Sequence, residues 1–375
     1  MNALKKILYG FFRMLPVSRR KVLVMSYYGA NYGCNPKYIS QKLVEDGAAK
    51  VVWAFNKPER YANIPGIKAV RYLSAGYLYT LATARVIVTN YRMTADFSKR
   101  PGQTYIQTWH SSLRLKAIEN DALASLKPGY VEMARRDSAQ IDILISGCRR
   151  STEIFRRAFW YDGEIMECGT PRNDALAAGG SPSVREKVMA TLGVDPAMKY
   201  VLYAPTFRES KTTDVYNIDF AALTAALATR FGGRWGVLLR LHPHMAGRSA
   251  ELCRVPGVTI ADATAYDDIQ ELLASADALV TDYSSLMFDY LFTGRPVWLY
   301  ASDVAEYTAR ERNLYFELPE LPFPLVSDNA ALQQAVLGFD AADYARRRAT
   351  FEGTIGSFEH GTAAAAIAAR IRASL

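Results

Sequence analysis

An α/β protein of two similar halves, each built on a parallel sheet covered on both faces, is the fold this chain predicts. Three observations carry it. Short apolar runs alternate with stretches of helical spacing from Lys21 onward. The apolar runs are near-continuous rather than alternating, as strands buried on both faces must be. The 375 residues are too many for one ordinary core and suit two domains of about 150–200 residues each.

The elements follow in order. In residues 1–20, Leu4, Ile7, Leu8, Phe11, Phe12 and Leu15 fall on one helical face. Lys5, Lys6 and Arg13 surround it, and Arg19, Arg20 and Lys21 follow Pro16. A Phe/Leu face with basic flanks describes a helix lying in an anionic membrane surface, or one packed on the protein's own body. Residues 21–26 (KVLVMS) form a strand that runs into a polar turn with Gly29, Asn31, Gly33 and Asn35. Helix is expected over 36–46 and 77–84 and from Ser151; strand is expected over 51–55, 68–72, 85–89, 104–108 and 143–146. A Gly/Ser/Pro-rich break at 176–184 (LAAGGSPSV) reads as a linker. Beyond it come strands at 200–204, 236–240, 258–260 and 278–281 and another buried strand at the end of the segment that closes at Tyr300, with helices at 220–231 and 269–275. The tail from Ala330 is helical, and the Ala-rich 362–375 reads as a docking helix. The expected division is a surface helix over 1–20, an N-terminal Rossmann-like domain over 21–178, a C-terminal Rossmann-like domain over 185–345 and helices docking across the domains over 346–375.

Composition narrows the class. Half the residues are hydrophobic and 22% are charged, which excludes a disordered chain. Lys and Arg outnumber Asp and Glu by 45 to 37, a net charge of +8 that favours anionic partners. Nucleic acid is not expected among them, because no recognition helix, RNP-like strand or zinc-finger spacing is present. Cys34, Cys148, Cys168 and Cys253 lack metal-ligand spacing and read as reduced, mostly buried thiols. No apolar run reaches the roughly 18 residues that span a bilayer, and no signal peptide is expected.

The chemistry-bearing residues sit just after predicted strands, where open α/β sheets bind ligands. After TYIQT come Trp109, His110, Ser111, Ser112, Leu113, Arg114 and Lys116; an imidazole there suits a base held near an anion. After the strand ending at Ala204 come Pro205, Thr206 and Arg208. Arg240, Leu241, His242, Pro243 and His244 close another strand, and Arg172 stands in GTPRND before the linker. Ser284 and Ser285 open a helix after a buried strand, with Asp289 one turn on. Such a start offers hydroxyls and free N–H groups to a phosphate, or it is simply an N-cap. The cations, histidines and hydroxyls gathered at these strand ends suit a diphosphate. No Walker loop, GxGxxG or HExxH motif is present, and neither a metal nor a cofactor is expected.

Together QTWHSSLRLKAI, GTPRND, YAPTFRE, LRLHPH and VTDYSSLMFDYLFTGRPV, followed by Tyr307 and Arg312, resemble the CDP-glycerol glycerophosphotransferase family of teichoic-acid synthesis over about residues 20–360. The resemblance implies a GT-B-like pair of Rossmann-type domains facing a central cleft that takes CDP-glycerol. By motif, His110, Ser111, Ser112, Leu113 and Arg114 meet the donor's glycerol phosphate. Arg172, Pro205, Thr206, Arg240, Leu241, His242, Ser284, Ser285 and Asp289 fall on donor-binding positions. The chain has His-Ser-Ser-Leu-Arg where the family usually has His-Gly-Thr-Pro-Leu, so the loop loses a glycine and a proline. The reaction implied is attack of an acceptor hydroxyl on the glycerol-bearing phosphorus with loss of CMP, His110 acting as base and His242 helping to hold the diphosphate and the leaving charge. A primase type, adding the first unit to a prenyl-diphosphate-linked disaccharide, is expected ahead of a glycerol- or ribitol-phosphate polymerase. The enzyme is then expected as a peripheral protein on the cytoplasmic face of the cell membrane, its helix using Phe11, Phe12, Lys5, Lys6 and Arg13. A GT-B glycosyltransferase or sugar-nucleotide epimerase, and a non-enzymatic membrane-binding module, are the competing classes.

Overall fold

The computed structural model describes residues 2–206, 217–241, 256–304, 307 and 313–375. The chain divides into two compact units. One comprises Met1–Ser112, Ile118–Asp174 and Ser357–Leu375; the other comprises Leu113–Ala117 and Ala175–Gly356. Each is a parallel-sheet α/β unit, the two-unit organisation expected of a GT-B-like chain.

Among the described residues the first unit carries seven parallel strands: β1 Lys21–Met25, β2 Lys50–Phe55, β3 Ile67–Arg71, β4 Val86–Thr89, β5 Thr104–Gln107, β6 Ile143–Ser146 and β7 Glu164–Glu167. Their order is β3-β2-β1-β4-β5-β6-β7, so the winding reverses between β1 and β4. The period of two along β1 divides the core. Val22 and Val24 pack with Ile39 and Leu43 of the helix Cys34–Glu45 and with Ile367 and Ile371 of the C-terminal helix Ala363–Arg372. Leu23 and Met25 face the opposite layer, with Leu78 and Leu81 of Ala75–Thr83 and Phe155 of Arg149–Ala158. Side chains on both faces of one strand are therefore buried, which is why its run is continuously apolar.

The second unit has, among the described residues, six parallel strands: β8 Lys199–Ala204, β9 Trp235–Leu239, β10 Val258–Ile260, β11 Ala278–Thr281, β12 Val297–Tyr300 and β13 Leu325–Val326. The order β10-β9-β8-β11-β12-β13 reverses between β8 and β11. Residues 176–184 are mostly punctuation. Gly179 and Gly180 both take φ +82°, a conformation open to glycine without penalty. Ser181 and Pro182 then start the helix Pro182–Leu192.

The strands missed from sequence are the edge strands β7 (EIME) and β13, two residues long. An edge strand buries less of itself and leaves a weaker apolar signal. The helices Pro128–Ser138 and Pro182–Leu192 were also missed, because charged residues dominate the first and the Pro and Gly around the second read as loop.

Candidate functional site

In the first unit the residues of interest gather where the winding reverses. Strand β5 ends at Gln107, and Trp109 then takes φ +46°. Tyr27 (φ +44°), Tyr28 (φ +56°) and Cys34 (φ +57°) follow β1 in the same region of φ. Non-glycine residues rarely adopt it, and each must be held there by its surroundings. Neither Ser111 nor Ser112 has a positive φ; the left-handed turn of this loop falls on Trp109, two residues before Ser111. The Trp109 ring stacks on His110 at 4.6 Å and meets Phe159 edge-on at 4.9 Å. The Tyr27 ring lies 6.2 Å from that of His110. His110 is partly exposed, whereas Ser111 and Ser112 are buried.

Asn35 ties this loop to the one that bears Arg172. Fully buried at the start of the helix Cys34–Glu45, it donates through Nδ2 to the carbonyls of Thr108 and Trp109, both at 3.2 Å. Its Oδ1 accepts from the Arg172 backbone N–H at 3.1 Å. Cys34 Sγ accepts from Arg172 Nη1 at 3.5 Å. From the C-terminal segment, Glu359 accepts from the Thr170 N–H at 2.9 Å and from the Thr170 hydroxyl. The Phe358 N–H donates to Gly147 at 2.9 Å. A Cβ at Gly147 would meet Ser112 Oγ at 2.2 Å, Thr170 Oγ1 at 2.4 Å and Glu359 Oε1 at 2.5 Å. Glycine there is what lets these three side-chain oxygens converge.

Behind Trp109 lies a buried charge cluster. Arg92 Nη1 is 3.3 Å from Asp137 Oδ2 and Arg92 Nη2 is 3.2 Å from Glu119 Oε2, with all three side chains at most 2% exposed. Burial, opposed by the neighbouring Arg92, pushes the Asp137 carboxyl up to about 6. In the unfolded chain an aspartate titrates near pH ~4. The folded state therefore holds an extra proton between those values. The group's contribution to stability is full below pH ~4 and is lost as pH rises through about 6. Replacing Asp137 with Asn removes that decline. The stability of the variant relative to wild type is expected to rise by on the order of 2 kcal/mol between about pH 4 and pH 7. Urea unfolding across that range checks it; parallel pH curves would sink the assignment.

In the second unit Thr206 and the Ser284–Ser285 turn follow β8 and β11, the strands between which the winding reverses. Asp282 joins them, its Oδ1 accepting from Thr206 N–H at 2.8 Å and Tyr283 N–H at 2.7 Å. Pro205 is buried behind Thr206, and Leu241 is buried as well. The helix after the serines, Leu286–Tyr290, is only five residues long, so its dipole is short. Ser284 Oγ accepts from Leu286 N–H at 3.3 Å, the capping role. Ser285 Oγ accepts from Leu115 N–H at 3.2 Å. It thereby helps hold Leu113–Ala117, which also pairs through Lys116 with Leu314. Leu113 and Arg114 are buried.

Two of the expected donor-binding residues also serve the fold. Asp289 is wholly buried and accepts from Gln270 Nε2 at 3.4 Å, bracing its helix from inside. Arg240 donates through Nη1 to the carbonyls of Ala261 (2.9 Å) and Tyr266 (2.5 Å), and through Nη2 to Asp267 at 3.4 Å. Its guanidinium fixes the 261–267 loop, because orphan carbonyls at a strand end compete for the nearest donor. His242, His244, Arg208 and Arg312 lie outside the described residues. Among the described residues no group of three or more His, Cys, Asp or Glu is placed to hold a metal ion.

The N-terminal helix Ala3–Phe12 is two-sided. Tyr9 is buried, Leu8 and Phe12 pack beside it, and Phe12 meets Tyr79 edge-on at 5.6 Å. Leu4 (73% exposed), Ile7 (71%), Phe11 (55%) and, just beyond the helix, Met14 (74%) form an outward stripe. Phe12 is thus half-buried against the body, whereas Phe11 faces outward. Lys6 pairs with Asp96 at 3.0 Å, and Arg13 donates to the Ser98 carbonyl, while Lys5 is partly buried. Among the described residues no helix is long and apolar enough to cross a membrane.

Sequence reasoning overlooked Asn35, Gln107, Arg92 and Glu359 as parts of the site. The one local signal was a polar residue at a strand end for Gln107 and at a helix start for Asn35, positions shared by many residues without such a role.

Comparison with known proteins fits this arrangement. Residues 7–373 match the family described as CDP-Glycerol:Poly(glycerophosphate) glycerophosphotransferase. The teichoic acid poly(glycerol phosphate) polymerase of Bacillus subtilis (strain 168) is 31% identical over 351 residues, 90% of this chain and 46% of that protein. The chain thus spans about half the length of this polymerase. The teichoic acid glycerol-phosphate transferase of Staphylococcus aureus (strain NCTC 8325 / PS 47) is 30% identical over 383 residues, 96% of this chain and 97% of that protein. Among solved structures, the wall teichoic acid polymerase TagF, in a histidine-to-asparagine variant with CDPG, superposes with a TM-score of 0.84 at 29% identity, covering 98% of this chain and 93% of that one. The family match spans nearly the whole chain and includes both strand-end clusters, and the protein belongs to the CDP-glycerol:poly(glycerophosphate) glycerophosphotransferase family.

Proposed function

We propose that this protein transfers glycerol phosphate from CDP-glycerol to an acceptor hydroxyl and releases CMP. The observation that carries the reading is the strand-end histidine held by strained backbone: His110 follows a left-handed Trp109 and is tied through Asn35 to the loop of Arg172. Family membership and the likeness to TagF with CDPG support the donor. In the proposed step the acceptor oxygen forms a bond to the glycerol-bearing phosphorus. The bond from that phosphorus to the bridging oxygen breaks, and its electron pair leaves with CMP. The hydroxyl proton passes to His110, whose ordinary pKa suits the task. Hydroxyls of Thr206, Ser284 and Ser285 would steady the diphosphate charge, and Arg172 falls on a further donor-binding position of the family. The acceptor we infer is a prenyl-diphosphate-linked disaccharide receiving one unit, a primase-type reaction. The test is turnover of CDP-glycerol and CDP-ribitol with a synthetic lipid-linked disaccharide, counting the units added. No CMP release from either donor rejects the reading, and long chains make the protein a polymerase.

A lipid-linked acceptor requires the enzyme at a membrane surface. The stripe Leu4–Ile7–Phe11–Met14 supports that location, since it is apolar, outward and next to exposed Arg19 and Arg20. Each basic residue near an anionic surface contributes roughly 1 kcal/mol. The double change Ile7→Ser with Phe11→Ser is expected to cut co-sedimentation with anionic vesicles by about tenfold or more. It should spare turnover of a soluble short-chain acceptor. Phe12→Ser should instead lower the unfolding midpoint. Unchanged vesicle binding by the double variant rejects the membrane role.

A further inference from the structure

We propose that Gln107, backed by Tyr105 and the Arg92–Asp137–Glu119 cluster, is a positioning residue that sets the aim of His110; this rests on the reading of His110 as the base. Gln107 is fully buried and every polar atom of its amide is engaged. Its Oε1 accepts from the Trp109 N–H at 3.0 Å. Its Nε2 donates to the Tyr91 carbonyl at 2.9 Å and to the Tyr105 hydroxyl at 3.0 Å. Tyr105 in turn donates to Asp137 Oδ1 at 3.1 Å. Asp137 also accepts from the Met93 N–H at 3.2 Å, and Arg92 donates to the Ser138 hydroxyl at 2.7 Å. Tyr130 closes the far side by donating to Glu119 at 2.7 Å.

The chain of bonds ends on the one N–H whose placement decides where His110 goes. Trp109 sits at φ +46°, a conformation that persists only when neighbours over-determine it. The Oε1 bond holds its N–H, Asn35 holds its carbonyl at 3.2 Å, and Phe159 holds its ring. Arg92 lies 3.7 Å over the Phe159 ring and 5.9 Å over that of Trp109. The charged cluster thus grips both the backbone and the aromatic wall of the same residue.

Energetics favour a positioning role over a stabilising one. A buried ion cluster is poor at stabilising a fold, because desolvation offsets the attraction between the charges. Two carboxylates around one guanidinium leave an excess negative charge in the interior. Apolar side chains of similar volume would serve the core as well. What they could not supply is a directional acceptor, locked in one rotamer, under the N–H of a strained residue.

The test uses the full-length protein and two variants. Tyr105→Phe keeps the buried ring and removes only the link between Gln107 and Asp137; Gln107→Leu removes the acceptor for Trp109 N–H. Gln107→Leu is expected to lower kcat by roughly 10²-fold, the usual penalty for a displacement near 1 Å. Tyr105→Phe should lower it several-fold, and both should leave the KM for CDP-glycerol within about threefold. The pH at which kcat falls on the acid side should move in both. The independent readout is NMR of the His110 ring, assigned with His110→Gln. Its ring-current shift reports the stack on Trp109 and needs no substrate. A His110 resonance at its wild-type position in both folded variants overturns the proposal, whatever turnover does. Wild-type protein that releases no CMP from CDP-glycerol overturns the functional reading instead, and the NMR arm still decides the positioning one.

Discussion

His110→Ala is expected to lower CMP release from CDP-glycerol by about 10²–10⁴-fold, the range for removal of a general base. Donor affinity should stay within several-fold of wild type. The expectation follows from placement: the imidazole is partly exposed at the end of β5, stacked on Trp109 and near the Tyr27 ring. Its backbone is tied to buried neighbours, so truncating the ring leaves the loop in place. Calorimetry with CDP-glycerol separates the two roles open to such a side chain. A base that only moves a proton is lost from kcat alone. A histidine that mainly contacts phosphate takes affinity down with the rate. Near-normal turnover by a folded variant excludes both.

The second large effect belongs to a residue that never touches substrate in this reading. Asn35→Ala should destabilise the protein by about 2–4 kcal/mol, because buried partners lose their bonds with no water to replace them. Those partners are the carbonyls of Thr108 and Trp109 and the N–H of Arg172. Activity should fall further than the folded fraction does, since the loops of His110 and Arg172 lose their shared tie and small misplacements carry large rate penalties. Asn35→Asp retains the acceptor for Arg172 but loses both donors and buries a charge, so it should be no better. An Asn35→Ala protein with the wild-type unfolding midpoint and full turnover would show that the tie is incidental.

The alternation of apolar runs and helical spacings determined the two parallel α/β units and their central strands, because those patterns are local. Residues 258–260, 278–281 and 143–146 coincide with β10, β11 and β6. The motifs likewise led to the family, because a run such as WHSSLR or DYSS is contiguous. The two-sided N-terminal helix was half legible: periodicity marked its apolar residues, but too many of them for one face. Only packing on Tyr79 and the core around Tyr9 assigned Phe12 inward and Phe11 outward.

Which strand-end polar groups pair with which was decided by tertiary structure alone. Arg240 bonds to carbonyls of the 261–267 loop and Asp289 to Gln270. The residues that hold the site act across long separations in sequence. Asn35 bonds to Thr108 across 73 residues and to Arg172 across 137, and Glu359 bonds to Thr170 across 189. A side-chain amide or carboxylate carries no mark in its own neighbourhood of which distant backbone group it will satisfy. That choice arises only when the sheet sets its strands side by side and every buried donor and acceptor must find a partner.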